Sequence, residues 1–342
     1  MKKKNTAPSM EQWAKLYEVA TTIKHQAPWN TLWDTDLVTI MLPGQNEPVF
    51  ISVMGRNGEC YGIGVYPGYR EIIGFYRLLD SSEEDLQMNP LSFQNCLMCY
   101  YGDRDELAPK EREVIKSLNL KFRGENNWIY FRSMEEGYYP WFINADQAEL
   151  MINALQNFSM AYMHLSSGKI KVDFESGETL MRQYSPERKE WLNEAVPMPP
   201  IPEISDELIF KDELLLKRLQ NKPKNNVSVE MDILYIPTPV QDKAEETPYF
   251  PRLLVLFDRK NELPLDQQIL DKKIKNEDAV TDALTNYINK YGKPSKVFVR
   301  DRYFVCYVDS LCSQLGVSIT YGKGMHCIDE FAEQMTGFMS EM

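Results

Sequence analysis

Two periods run through the apolar positions of this chain, and each predicts an element where it holds. From Ser9 to His25, Trp13, Leu16, Tyr17, Ala20 and Ile23 recur at helical spacing, and Ser9 with Gln12 three residues on has the form of a capping box. Val49–Met54 and Cys60–Tyr66 are apolar runs around Gly55-Arg56-Asn57-Gly58, a predicted hairpin because Asn and Gly accept the left-handed backbone of such a turn. A helix after Pro67-Gly68 carries Ile72, Ile73, Phe75, Tyr76 and Leu79. A strand (Cys96–Tyr101), a helix over 110–118 and a strand (Trp128–Phe131) continue the alternation. The stripe Leu150, Met151, Ala154, Leu155, Phe158, Ala161 and Tyr162 predicts a helix from Asp146 to His164. A second hairpin is predicted from Lys169–Phe174 and Glu178–Tyr184, turning at Ser176-Gly177.

The run from Ala195 to Pro202 holds four prolines and predicts an extended linker. A short helix follows, capped by Ser205 and carrying Leu208, Leu215 and Leu219. Three strands in a meander come next (Val227–Ile236, Arg252–Phe257, Leu263–Leu270). Then a helix (Glu277–Tyr291), a strand (Lys296–Val299), a helix (Tyr303–Leu315), a strand (Val317–Tyr321) and a helix from Ile328 complete the order β-β-β-α-β-α-β-α. The fold class is α+β, with two α/β-sandwich-type domains: residues 1–194, a Pro-rich linker and short helix over 195–225, and residues 226–342.

The order of elements over the last third, with the segment Tyr291-Gly-Lys-Pro-Ser-Lys-Val-Phe-Val-Arg-Asp301, resembles the integrase and transposase branch of the ribonuclease H-like fold. That resemblance implies acids on the first strand, at the end of the fourth and on a late helix, which here match Asp232, Asp301 and either Glu330 or Glu333. Such carboxylates hold two Mg2+ or Mn2+ ions that activate water and stabilise a leaving oxygen in phosphodiester chemistry. Two features depart from the branch: Asp301 is followed by Arg302 and Tyr303, and acids outnumber bases over 226–342, the wrong sign for gripping phosphates. The expectation is therefore a degenerate, non-catalytic derivative. In the first half, Pro28-Trp29, Val53-Met54-Gly55, Gly62-Ile-Gly64-Val-Tyr66 and Tyr139-Pro140-Trp141 are similar to motifs of uncharacterised bacterial proteins carrying domains of unknown function.

Composition narrows the picture further. With 342 residues, 43% of them hydrophobic, the chain can bury sizeable cores; a net charge of −12 disfavours general affinity for nucleic acid or anionic membranes. No stretch has the length of a membrane span, and six cysteines scattered among apolar runs fit a reducing compartment, so the expected location is cytoplasmic.

The remaining motifs have a chemical and a packing reading, and packing is expected for each. Gly62, Gly64 and Gly68 run from a strand into a helix, which suits a nucleotide phosphate, but the spacing is not the dinucleotide fingerprint. Cys96-Leu-Met-Cys99 has metal-pair spacing, yet positions three apart on a strand point to opposite faces. His25, His164 and His326 have no His or Cys partner at ligand spacing, so each is expected as a surface or capping histidine. The leading expectation is thus a non-enzymatic cytoplasmic binding or accessory protein with an unidentified protein partner, no cofactor, and Trp29, Trp33, Tyr138 and Trp141 as places for that partner. The alternative is a divalent-metal nuclease or strand-transfer enzyme using Asp232, Asp301, Glu330 and Glu333.

Overall fold

The computed structural model describes residues 6–80, 94–201, 210–243, 246–300, 302–322 and 324–340. The chain divides into two units, one built from 6–80, 94–136 and Pro140–Ile201, the other from Gly137–Tyr139 and the described residues from 210 onward.

The first unit is a seven-stranded mixed sheet with helices packed on it. Its elements are α1 (Met10–Gln26), β1 (Val38–Met41), β2 (Val49–Met54), β3 (Gly62–Pro67), α2 (Tyr69–Asp80), β4 (Cys96–Gly102), α3 (Pro109–Ser117), β5 (Trp128–Met134), α4 (Ala145–Ser166), β6 (Glu178–Ser185) and β7 (Glu190–Pro197). The sheet order is β5-β4-β3-β2-β1-β6-β7, antiparallel at every step except β1 against β6. The α1 capping box forms: Gln12 N donates to Ser9 Oγ at 3.1 Å and Ser9 N to Gln12 Oε1 at 3.0 Å. Leu16, Tyr17, Ala20 and Ile23 of α1 are buried in one cluster with Met151, Leu155 and Phe158 of α4 and with Val38, Ile51, Ile63 and Cys99 from the sheet.

The expected second hairpin is corrected. Lys169–Phe174 is not a strand, and a short 3-10 turn spans Phe174–Ser176. The hairpin of β6 is with β7 instead, turning beyond Ser185 and Glu190, where Lys189 takes a positive φ of 55°. The opening of the proline run belongs to that strand, since Ala195, Val196 and Pro197 face Leu180, Thr179 and Glu178.

The second unit is a five-stranded sheet in the order β10-β9-β8-β11-β12, from β8 (Ser228–Tyr235), β9 (Arg252–Asp258), β10 (Leu263–Leu270), β11 (Lys296–Val299) and β12 (Ser318–Tyr321). β8, β9 and β10 are antiparallel neighbours, whereas β8, β11 and β12 run parallel. Helices α5 (Glu213–Gln220), α6 (Asn276–Tyr291), α7 (Arg302–Leu315) and α8 (His326–Ser340) complete it. A central first strand, a two-strand antiparallel meander on one side and two parallel crossover strands on the other make the ribonuclease H-like fold expected from the order of elements. Of the short helix foreseen, Leu215 and Leu219 lie in α5, which is capped by Asp212 accepting the Leu215 amide, while Ser205 and Leu208 lie outside the described residues.

Strand alternation assigns the two faces of this sheet. Val229, Met231 and Ile233 pack with Val280, Leu284 and Ile288 of α6 and with Val308 and Leu311 of α7. Leu234, the next even position after Glu230 and Asp232, packs with Val255 and Phe257 of β9 and with Ile328 and Ala332 of α8. Both acids of β8 therefore face α8.

Candidate functional site

Asp232 is 4% exposed, and a carboxylate so placed requires partners. Its Oδ1 accepts the Ile233 amide at 2.8 Å and its Oδ2 accepts Arg300 Nε at 2.6 Å. Arg300 follows directly on β11 and also donates through Nη2 to Asp329 Oδ1 of α8 at 2.9 Å. Burial works to lower the pKa of this guanidinium, but the two carboxylates outweigh it, and the group is held more firmly protonated than an ordinary arginine. The centre above β8 and β11 is thus an Asp–Arg–Asp ion-pair cluster.

Of the predicted acids, Asp232 is in this cluster. Glu330 and Glu333 are exposed on α8, where Glu330 accepts from Gln334 Nε2 at 3.3 Å. Asp301 lies outside the described residues. Asp258, at the end of β9, accepts the amides of Lys260 (3.0 Å) and Asn261 (3.2 Å) and the Asn261 side chain (2.7 Å). It closes its own turn, as Asp does for local reasons.

A second group of side chains sits on the same face, and it eluded the sequence reading. Glu230 is fully buried; its Oε2 accepts the amides of Cys327 (3.1 Å) and Ile328 (3.2 Å) in the first turn of α8. Its Oε1 takes Arg259 Nη1 at 2.8 Å and lies 3.3 Å from His326 Nδ1. Burial raises the Glu230 pKa, while the Ile328 amide, Arg259 and His326 oppose it. His326 Nε2 is 3.4 Å from Cys327 Sγ and 3.9 Å from Glu262 Oε1. Two signals for this group were available: an acid two residues before Asp232, hence on its face, and a His next to a Cys.

In the first unit the glycines are explained by packing. A Cβ on Gly62 would stand 2.9 Å from Met54 Cε and 3.3 Å from the Cys99 carbonyl oxygen. At the start of α2, the Tyr69 amide is taken by Glu47 Oε2 at 3.0 Å, so a carboxylate stands where the nucleotide reading puts a phosphate. Cys96 and Cys99 are both buried on β4, and burial pushes each thiol up to about 12. Cys99 joins the main core; Cys96 lies on the other face beside Gln94. Of the four aromatics foreseen as partner surface, Trp29 packs edge-on against Tyr61 in the core margin, and Tyr138 and Trp141 are half-buried. Trp33 is 44% exposed, with the Arg56 guanidinium 4.4 Å above its ring.

Two family models match this chain, and both describe domains of unknown function. Residues 13–182 match DUF7309, and residues 215–336 match DUF6930. No curated protein matches. Among solved structures, this chain is similar to two retroviral proteins. The catalytic core domain of BIV integrase is 18% identical, over 32% of this chain and 66% of that one, with a TM-score of 0.23. The simian T-cell lymphotropic virus intasome in complex with PP2A regulatory subunit B56 gamma is 17% identical, over 36% of this chain and 45% of that one, with a TM-score of 0.24. This chain covers less than two thirds of either relative. The fold assignment rests on the strand order of the second unit. No helix among the described residues is long and apolar enough to cross a membrane.

Proposed function

We propose that this protein is a non-enzymatic binding or accessory protein of a bacterial cytoplasm, whose second unit keeps a ribonuclease H-like frame without two-metal phosphodiester chemistry at Asp232. The carrying observation is Arg300, which puts a guanidinium 2.6 Å from Asp232 and 2.9 Å from Asp329. In a two-metal site the ions stand roughly 3.5–4 Å apart, and the carboxylates that hold them must turn their oxygens to the metals. Here the side-chain oxygens of Asp232 are engaged by a fixed cation and a backbone amide, and a divalent ion beside Arg300 would meet its charge in a partly desolvated place. The exposed positions of Glu330 and Glu333 and the net charge of −12 support the same reading, which fits neither Mg2+ nor Mn2+ as a resident group. Four buried free thiols, Cys96, Cys99, Cys312 and Cys327, support a reducing compartment. For a protein partner, the Trp33–Arg56 pair offers the residue types enriched at interface centres.

The test is a calorimetric titration of Mn2+ into the wild-type protein and Asp232→Asn, with a cleavage assay on single- and double-stranded DNA and RNA. The expected result is no Asp232-dependent heat and no cleavage. Binding in the tens of micromolar that Asp232→Asn removes, together with strand cleavage, would overturn the proposal in favour of a nuclease or strand-transfer enzyme using Asp232, Asp301, Glu330 and Glu333.

A further inference from the structure

The group around His326 and Cys327 is arranged as a soft-metal site, independently of the Asp232 cluster. We propose that His326 Nε2, Cys327 Sγ and the Glu262 carboxylate bind a single Zn2+ ion, with Glu230 as the residue that orients His326. The donor atoms of Glu230, His326 and Cys327 all lie within 4.8 Å of one another. Hydrogen-bond accounting divides their roles. Glu230 Oε2 is occupied by two backbone amides, and Oε1 by Arg259 and by the His326 Nδ1 edge, so this carboxylate is already fully engaged. A proton on Nδ1, facing Glu230, leaves the lone pair on Nε2, the carboxylate–histidine arrangement that metal-binding imidazoles use.

Nε2 points toward Cys327 Sγ at 3.4 Å. Zinc with ordinary Zn–S and Zn–N bonds and tetrahedral angles sets sulfur and nitrogen about 3.5 Å apart. Glu262 Oε1 stands 3.9 Å from the same nitrogen on a side chain 66% exposed, which can close the remaining distance by rotation. Water fills the fourth position. The charges also balance: Arg259 neutralises Glu230, leaving the Cys327 thiolate and Glu262 to neutralise the ion. Thiolate and imidazole select zinc over Mg2+ or Mn2+. Burial, with Glu230 and Glu262 nearby, pushes the free Cys327 thiol up to about 11, so metal binding at neutral pH displaces its proton.

The test uses Co2+ as a spectroscopic probe on the full chain, followed by displacement with Zn2+. Wild type should show a thiolate-to-cobalt charge-transfer band and release about one proton per ion bound. Cys327→Ser should lose the band, and His326→Gln, at a half-exposed position that leaves folding intact, should weaken binding at least tenfold. Glu230→Gln should weaken it about 10- to 100-fold through the ring orientation. Asp232→Asn and Cys60→Ser, at the ion-pair cluster and at an exposed thiol, should bind as wild type. Absence of the band in wild type, its survival in Cys327→Ser, or its loss in Cys60→Ser would overturn the site. Loss in Asp232→Asn would move the metal to the other cluster and contradict both proposals, whereas a missing band alone leaves the non-catalytic reading standing.

Discussion

Arg300 Nε donates to Asp232 Oδ2 at 2.6 Å across 68 residues of sequence, joining the strand β8 to the end of β11. Side-chain exposures of 24% and 6% place the pair away from bulk screening. Removing one partner of such a pair strands the other charge, a loss of about 3–5 kcal/mol in buried settings. Arg300→Met is therefore expected to lower the stability of the second unit by about 2–4 kcal/mol, measured by urea unfolding. Asp232→Asn combined with Arg300→Met should recover at least half of that loss, because the buried carboxylate is then neutral and the remaining acid, Asp329, has a side chain 44% exposed to water. A double variant as unstable as the sum of the singles would show that packing, and not charge, holds this centre.

Cys96 and Cys99 give the first unit an alkaline limit. Both thiols are raised from 9.0 to about 12 by burial. A folded pKa above the unfolded one stabilises fully below pH 9, and that contribution is lost as the pH climbs from 9 toward 12 while the unfolded chain ionises first. Between pH 8.5 and pH 10.5 each thiol should cost about 1–2 kcal/mol of stability. Urea midpoints across this range should fall less steeply in the Cys96→Ala/Cys99→Ala variant than in wild type. In the folded protein at pH 8, a thiol reagent should modify exposed Cys60 first and reach Cys96 and Cys99 only on unfolding.

The second unit was legible in the sequence because β8, β9 and β10 are runs of 8, 7 and 8 residues, and because Gly292 and Gly316, which end the α6 and α7 stripes, mark off the short strands β11 and β12 that follow. The first unit was less so. β1 is only four residues, Val38–Met41, too short for alternation to declare itself. β7 reads Glu-Trp-Leu-Asn-Glu-Ala-Val-Pro, with a half-exposed pattern and a proline end that imitate a linker. Lys169–Phe174 alternates like a strand but pairs with no strand among the described residues. At the site, Asp232 was visible as a strand acid, whereas its cluster was not, because Arg300, and Asp329 through Arg300, join it only through the crossover topology. Glu230 meets Cys327 across 97 residues, a distance at which spacing rules give no signal.

The parallel pair β1–β6 depends on a buried hydroxyl couple. Thr39 Oγ1 lies 2.9 Å from Thr179 Oγ1, and Thr179 donates to the Leu37 carbonyl oxygen at 2.7 Å. Thr179→Val keeps the shape but leaves the Thr39 hydroxyl and that carbonyl oxygen short of a partner, at a cost of about 1–3 kcal/mol. The pair Thr39→Val/Thr179→Val removes both hydroxyls and is expected to cost less than the sum of the two single changes. Chemical denaturation of the four proteins of this cycle checks the coupling, and strict additivity would refute it.

Gly62 separates the packing account of the glycines from a nucleotide account. Its missing Cβ accommodates Met54 Cε and the Cys99 carbonyl oxygen, and of these the methionine can yield while the strand backbone cannot. Gly62→Ala is therefore expected to destabilise the first unit by about 1–3 kcal/mol, and Met54→Ala in the same chain should return part of that loss by opening the space. Nucleoside mono-, di- and triphosphates should leave the thermal midpoint of wild type and variant unchanged, because Glu47 already takes the Tyr69 amide at the head of α2. Saturable protection of the wild type by a nucleotide, absent from Gly62→Ala, would instead assign these glycines to a ligand.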